Sequence, residues 1–99
     1  MSEAVEYAEA LQKAAEAESR ALASKAMMRR IFSELVIQYN EGSTIERQHK
    51  ARAHPKYIEA ENTYLSDAST ANLLGAQADA AKIKWETWRS EHATARVLR

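Results

Sequence analysis

Arg47, His49, Lys50, Arg52, His54 and Lys56 fall within ten residues, with Glu46 the adjacent acid. Cations at this density attract phosphate, and backbone phosphates bind such clusters without regard to base sequence. Lys25, Arg29 and Arg30 are placed to lengthen the track. Tyr39 and Tyr57 flank it and offer rings on which unpaired bases can stack. The same residues equally describe a solvated loop with tyrosines closing a core beneath it, and residue types alone leave both readings open.

Other chemistry finds little support. His49 and His54 lie five apart around a proline, a poor spacing for a shared metal, and no His-Glu-x-x-His occurs. His92 has no carboxylate following it and reads as a polar residue in an apolar seam. Serines and threonines are scattered without a nucleophile motif, and no glycine-rich phosphate loop exists. The expectation is a protein without catalytic residues, metal or cofactor.

The 99 residues allow one domain. Fourteen bases balance fourteen acids, so the whole surface is not built to coat nucleic acid, although a local basic site is compatible with neutrality. Without cysteine the chain has no disulfide, thiolate metal site or cysteine nucleophile, and a reducing cytoplasm is the expected setting. The acidic opening, Met1 to Glu9, has no apolar segment of a signal peptide, and no stretch reaches the roughly 18 apolar residues of a membrane span.

What must position the basic cluster is helical. Alanine dominates the apolar content, and only two glycines and one proline interrupt the chain. Asn40-Glu41-Gly42 reads as a helix end, with Gly42 in the left-handed conformation. Ser43 with Glu46 three residues on forms a capping box. His54 is held extended by Pro55, which suits the first position of a new helix. The sequence therefore predicts an all-α chain: a helix over about 3–41, a short helical connection over 42–54, and a helix over about 55–96. Each long helix spans roughly 60 Å at ~1.5 Å per residue, and coiled-coil packing is the natural arrangement for that length.

The second helix carries a seam at alternating steps of three and four: Tyr57, Ala60, Tyr64, Asp67, Ala71, Leu74, Ala78, Ala81, Trp85, Trp88, His92 and Ala95. This is the spacing of knobs-into-holes packing, with Asp67 placed to fix register by a bond across the seam. In the first helix Ala8, Leu11, Ala15 and Leu22 hold one stripe, while Met28, Ile31, Phe32, Leu35 and Tyr39 form a second. A phase drift near Lys25 and Met27 separates them. Gly75 predicts a close helix approach.

The short connection makes the pair antiparallel. Leu11 is then expected to face the tryptophans, and Phe32, Leu35 and Tyr39 to face Tyr57 and Tyr64. Met27, Phe32, Val36, Ile37, Leu65 and Leu73 lie off the simplest seam and predict packing against a second hairpin, hence a homo-oligomeric bundle. Charge follows the same plan. Residues 1–19 carry five acids against Lys13, and residues 80–99 carry five bases against two acids. Residues 20–56 carry eight bases against three acids, and 57–79 carry four acids and no base. Much of this blockiness serves pairing of the two helices.

An Ala- and Glu-rich helix thus leads to Ser24-Lys25-Ala26-Met27-Met28-Arg29-Arg30, then to the aliphatic stretch Ile31 to Tyr39. A glycine turn, Ser43 to Arg47, Ala-His-Pro and a helix containing Trp85-Glu-Thr-Trp-Arg-Ser90 follow. This order resembles small helical proteins of bacteriophage recombination gene clusters and is similar in outline to UvsY-like recombination mediators. The resemblance implies a self-associating accessory protein that holds single-stranded DNA and assists loading of a recombinase, working alongside a recombinase or a single-strand-binding protein in the host cytoplasm. It implies DNA contacts at Lys25, Arg29 and Arg30. The alternative is a non-catalytic interaction module, such as a phage inhibitor seated on a host nucleic-acid enzyme.

Overall fold

The computed structural model describes residues 2–98, with side chains described through Ala95. It is an all-helical hairpin of three helices, α1 (Glu3–Gln38), α2 (Thr44–Ala53) and α3 (Pro55–Leu98), extended over 79 Å. No helix among the described residues is long and apolar enough to cross a membrane.

Each helix begins where the sequence offers a cap. Ser2 Oγ accepts the Val5 amide at 3.3 Å, and Glu3 and Glu6 favour the positive end of the α1 dipole. Ser43 Oγ accepts the Glu46 amide at 3.2 Å, which supplies the serine half of the expected capping box. His54 is extended (φ −70°, ψ 135°), and its Nδ1 accepts the Lys56 amide at 3.1 Å while Pro55 opens α3.

α1 stops three residues earlier than the sequence predicts. Tyr39 is its C-cap, donating its amide to Leu35 O, and Gly42 turns the chain at φ +93°. The reason lies across the turn. Arg47 reaches back from α2, donating from Nη2 to the Val36 carbonyl at 2.8 Å and from Nε to the Tyr39 carbonyl. Those groups are orphaned at a helix end, and the guanidinium satisfies them.

The α3 seam is buried as its spacing predicts from Tyr57 to Trp85, with Ala60 and Ala78 buried and Tyr57, Tyr64, Asp67, Ala71, Leu74, Ala81 and Trp85 half-buried. Trp88, His92 and Ala95, expected in the same seam, are exposed instead, because Tyr7 near the start of α1 already lies opposite Trp85 and α3 runs on past that end of α1. The α1 seam differs from expectation. Tyr7, Ala10, Ala14, Ala17, Ala21, Ser24, Met28, Ile31 and Leu35 face α3 in one unbroken three-four register. Ala8, Leu11, Ala15 and Leu22 are exposed instead, Leu22 at 64%. There is no phase drift: a seam of alanines lets the two helices lie close, and the leucines fall one position to its side. Tyr7, not Leu11, meets the tryptophan end, its ring stacked on Trp85 at 5.6 Å.

Two further expectations are corrected. A Cβ on Gly75 would meet nothing within 4 Å, so no close approach within the hairpin accounts for this glycine. Phe32 lies against Tyr57 (5.7 Å) and beneath Arg52 (5.1 Å), so this chain's own helices cover it in part. Met27, Ile37, Leu65 and Leu73 remain more than half exposed.

Candidate nucleic-acid interface

α2 folds back beside the junction of α1 and α3, where Ala51, fully buried, presents only a methyl and allows a close approach. This packing gathers the basic residues at the closed tip. Lys50 and Arg52 lie on α2, Lys56 is in the first turn of α3, and Arg29 and Arg30 lie on α1. All five are exposed.

The seven bases singled out by sequence do not share one role. Arg47 is half-buried, with its donors engaged by α1 carbonyls. It caps a helix and is poorly placed to bind phosphate. Arg30 pairs with Glu34 one turn on, at 3.1 Å. Lys25, half-buried, sits over the Tyr64 ring at 5.9 Å, and the exposed Arg52 sits over Phe32. Among the described residues only Arg30 and Lys84 lie within 4.0 Å of a carboxylate, so Arg29, Lys50, Arg52 and Lys56 are free of ion pairs. A small hollow lined by Met28, Arg29, Phe32, Arg52 and Tyr57 joins the α1 and α2 bases across the tip.

The tyrosines divide as well. Tyr57 and Tyr39 are half-buried, and the Tyr57 ring lies against Phe32 at 5.7 Å. Burial, then the neighbouring Glu61 carboxylate, raises the Tyr57 phenol above its ordinary value, with Arg52 working in the opposite direction. Tyr57 thus belongs to the core of the tip. Lys25 and Tyr64 lie farther along the rod, beside the hydrogen bond from Ser24 Oγ to the Asp67 carboxylate. That bond crosses the α1–α3 seam of one chain. Sequence could not say which residue Asp67 would meet; the α1 register places Ser24 there.

At the open end Trp85 is flanked by Tyr7 and by Arg89 at 4.7 Å, while Trp88 remains 37% exposed and lies tilted against His92 of its own helix at 4.1 Å. Among the described residues no three metal-ligating side chains converge. Glu46 and His49 stand three apart on α2 without a third donor to complete a site. The arrangement can hold an anionic polymer by charge.

No protein-family model matches this chain, and no curated protein and no solved structure is significantly similar to it.

Proposed function

We propose that the chain is a non-catalytic, cytoplasmic accessory protein of phage-type recombination. It self-associates through its helices, holds single-stranded DNA by backbone charge at the hairpin tip and so assists recombinase loading. The observation that carries this reading is the set of exposed cations, Arg29, Lys50, Arg52 and Lys56, gathered at one end without carboxylate partners. The resemblance of its segment order to UvsY-like mediators supports it, as does a surface bearing many exposed apolar side chains. Lys25 extends the cationic track; Arg30 and Arg47 contribute less, because Glu34 and the α1 carbonyls engage them.

Titration of a fluorescent oligonucleotide tests the reading. Binding in the micromolar range should weaken steeply with salt. Replacing Arg29, Lys50 and Lys56 together by Gln should lower affinity and reduce the salt slope by about 2, at roughly 0.7 per phosphate contact on a single strand. Unchanged affinity in the triple variant would refute the assignment. The exposed Leu11, Leu22 and Leu65 favour a second reading, a protein-binding module. Absence of oligonucleotide binding alongside capture of a host nucleic-acid enzyme would select it.

A further inference from the structure

Two arginines from different helices share one hollow at the tip. Arg29 comes from α1 and Arg52 from α2, and both line a space of about 90 Å³ with Met28, Phe32 and Tyr57. Both are exposed, and among the described residues neither lies within 4.0 Å of a carboxylate. Two guanidiniums at one opening repel each other, and an anion between them turns that repulsion into attraction. Arg52 is already held for such a contact. Its guanidinium lies over the Phe32 ring at 5.1 Å, and this kind of stacking engages the face of the group while its N–H edge stays available to an acceptor. The floor is ring and thioether surface. Phe32 lies against Tyr57 at 5.7 Å, and Met28, Phe32 and Tyr57 are half-buried. An apolar floor lowers the local dielectric and strengthens the attraction above it.

Size and charge narrow the anion. About 90 Å³ is well below the roughly 300 Å³ at which pockets for whole small molecules begin, so the hollow suits a single tetrahedral group and not a nucleobase with its sugar. Tyr57, one wall of the hollow, is hydrogen-bonded to the Glu61 carboxylate. Two cations and one acid thus leave one positive charge. That balance matches an internal phosphodiester, which carries a single negative charge, and not a terminal phosphate, which carries nearly two. We propose that Arg29 and Arg52 together hold one internal phosphodiester of a single strand, and so fix the point at which the strand crosses from α1 to α2. The proposal rests on the single-strand-binding reading above and adds a discrete seat to a track otherwise formed by charge alone.

Titration of the 15N-labelled full chain with an oligothymidylate of about 15 nucleotides tests this without any substitution. The Nε–Hε signals of Arg29 and Arg52 should shift together along one binding curve, while that of Arg47, engaged by carbonyls, should stay. In fluorescence titrations, Arg29→Gln and Arg52→Gln should each lower affinity about five- to tenfold. The double variant should lose little more than either single one, because a seat missing one guanidinium is already broken. Arg29→Gln combined with Lys56→Gln should instead multiply the two losses. Arg52→Lys keeps the charge without the planar fork and should recover only part of the affinity. Adding a 5′-phosphate to the strand, or replacing its bases by abasic sites, should change affinity less than about threefold. A wild type that binds no oligonucleotide would overturn both the seat and the single-strand reading. Binding in which the Arg29 and Arg52 losses multiply, or in which one Nε–Hε signal moves without the other, would overturn the seat alone. A gain of about tenfold from the 5′-phosphate would assign the hollow to strand ends, and an equal loss on the abasic strand would assign it to bases. Either result would overturn the phosphodiester assignment.

Discussion

Asp67 and Ser24 form a polar contact within an otherwise alanine-rich seam, and both are half-buried. Removing one partner leaves the other partly desolvated without its bond. Ser24→Ala should therefore destabilise the hairpin by about 1–3 kcal/mol. The double replacement Ser24→Ala with Asp67→Leu should recover most of that, because an apolar pair leaves nothing unsatisfied. Urea midpoints at unchanged slope measure both, and a double variant as weak as the single one would contradict it. Arg47 makes a second case. Its guanidinium serves two carbonyls in a planar fork that lysine cannot copy. Arg47→Ala should cost about 1.5–3 kcal/mol in thermal or urea unfolding, and Arg47→Lys should not rescue it. Sequence identified Arg47 as one cation among several, because its partners are backbone atoms eleven and eight residues away. No residue pattern encodes a carbonyl freed by a helix that ends early.

At the scale of elements, the tip joins all three helices through Phe32, Tyr57 and Arg52. The raised Tyr57 phenol gives this junction a pH dependence. The fold holds the phenolic proton more tightly than the unfolded chain, whose value is about 10. That contribution is complete below about pH 10 and is lost as pH rises through the higher folded value. Stability should thus decline on the alkaline side, with a shallower decline in the Tyr57→Phe protein; identical alkaline limbs would remove Tyr57 from the explanation. The elements themselves differed in legibility. In α3 large residues mark the seam, so Tyr57, Tyr64, Leu74 and Trp85 could be read from spacing alone. In α1 the seam is Ala10, Ala14, Ala17, Ala21 and Ser24, and the larger Leu11 and Leu22 drew attention to the wrong stripe. Hydrophobicity ranks leucine above alanine, but close helix approach rewards the smaller side chain, and only the register of the partner helix decides between them. The candidate interface was legible as a cluster and not as a geometry, since its seven bases comprise a cap (Arg47), an internal pair (Arg30 with Glu34) and five cations without a carboxylate partner.

The whole molecule is a rod in which each layer touches only the layers beside it, so its stability is distributed along its length and need not be uniform. The tip holds Leu35 (4% exposed), the fully buried Ala51, the Phe32–Tyr57 pair and the Arg47 cap. The middle holds alanines and the Ser24–Asp67 bond. The open end relies on Tyr7 against Trp85 and on the exposed Glu6–Lys84 pair at 3.3 Å, an interaction of the kind that contributes little in water. Beyond it Trp88, 37% exposed, lies against His92 of its own helix. Opening should therefore start at that end and progress toward the tip. Amide hydrogen exchange should be slowest around Leu35, Ala51 and Ala60 and fastest near Tyr7 and Trp85. Tyr7→Ala should accelerate exchange at the open end while leaving the tip amides slow. Leu35→Ala should lower the slowest protection by about 2–5 kcal/mol, because among the described residues Leu35 is the one large side chain the hairpin buries. Equal protection along both long helices would show that the rod unfolds as a single unit, and the layered account of its stability would be wrong.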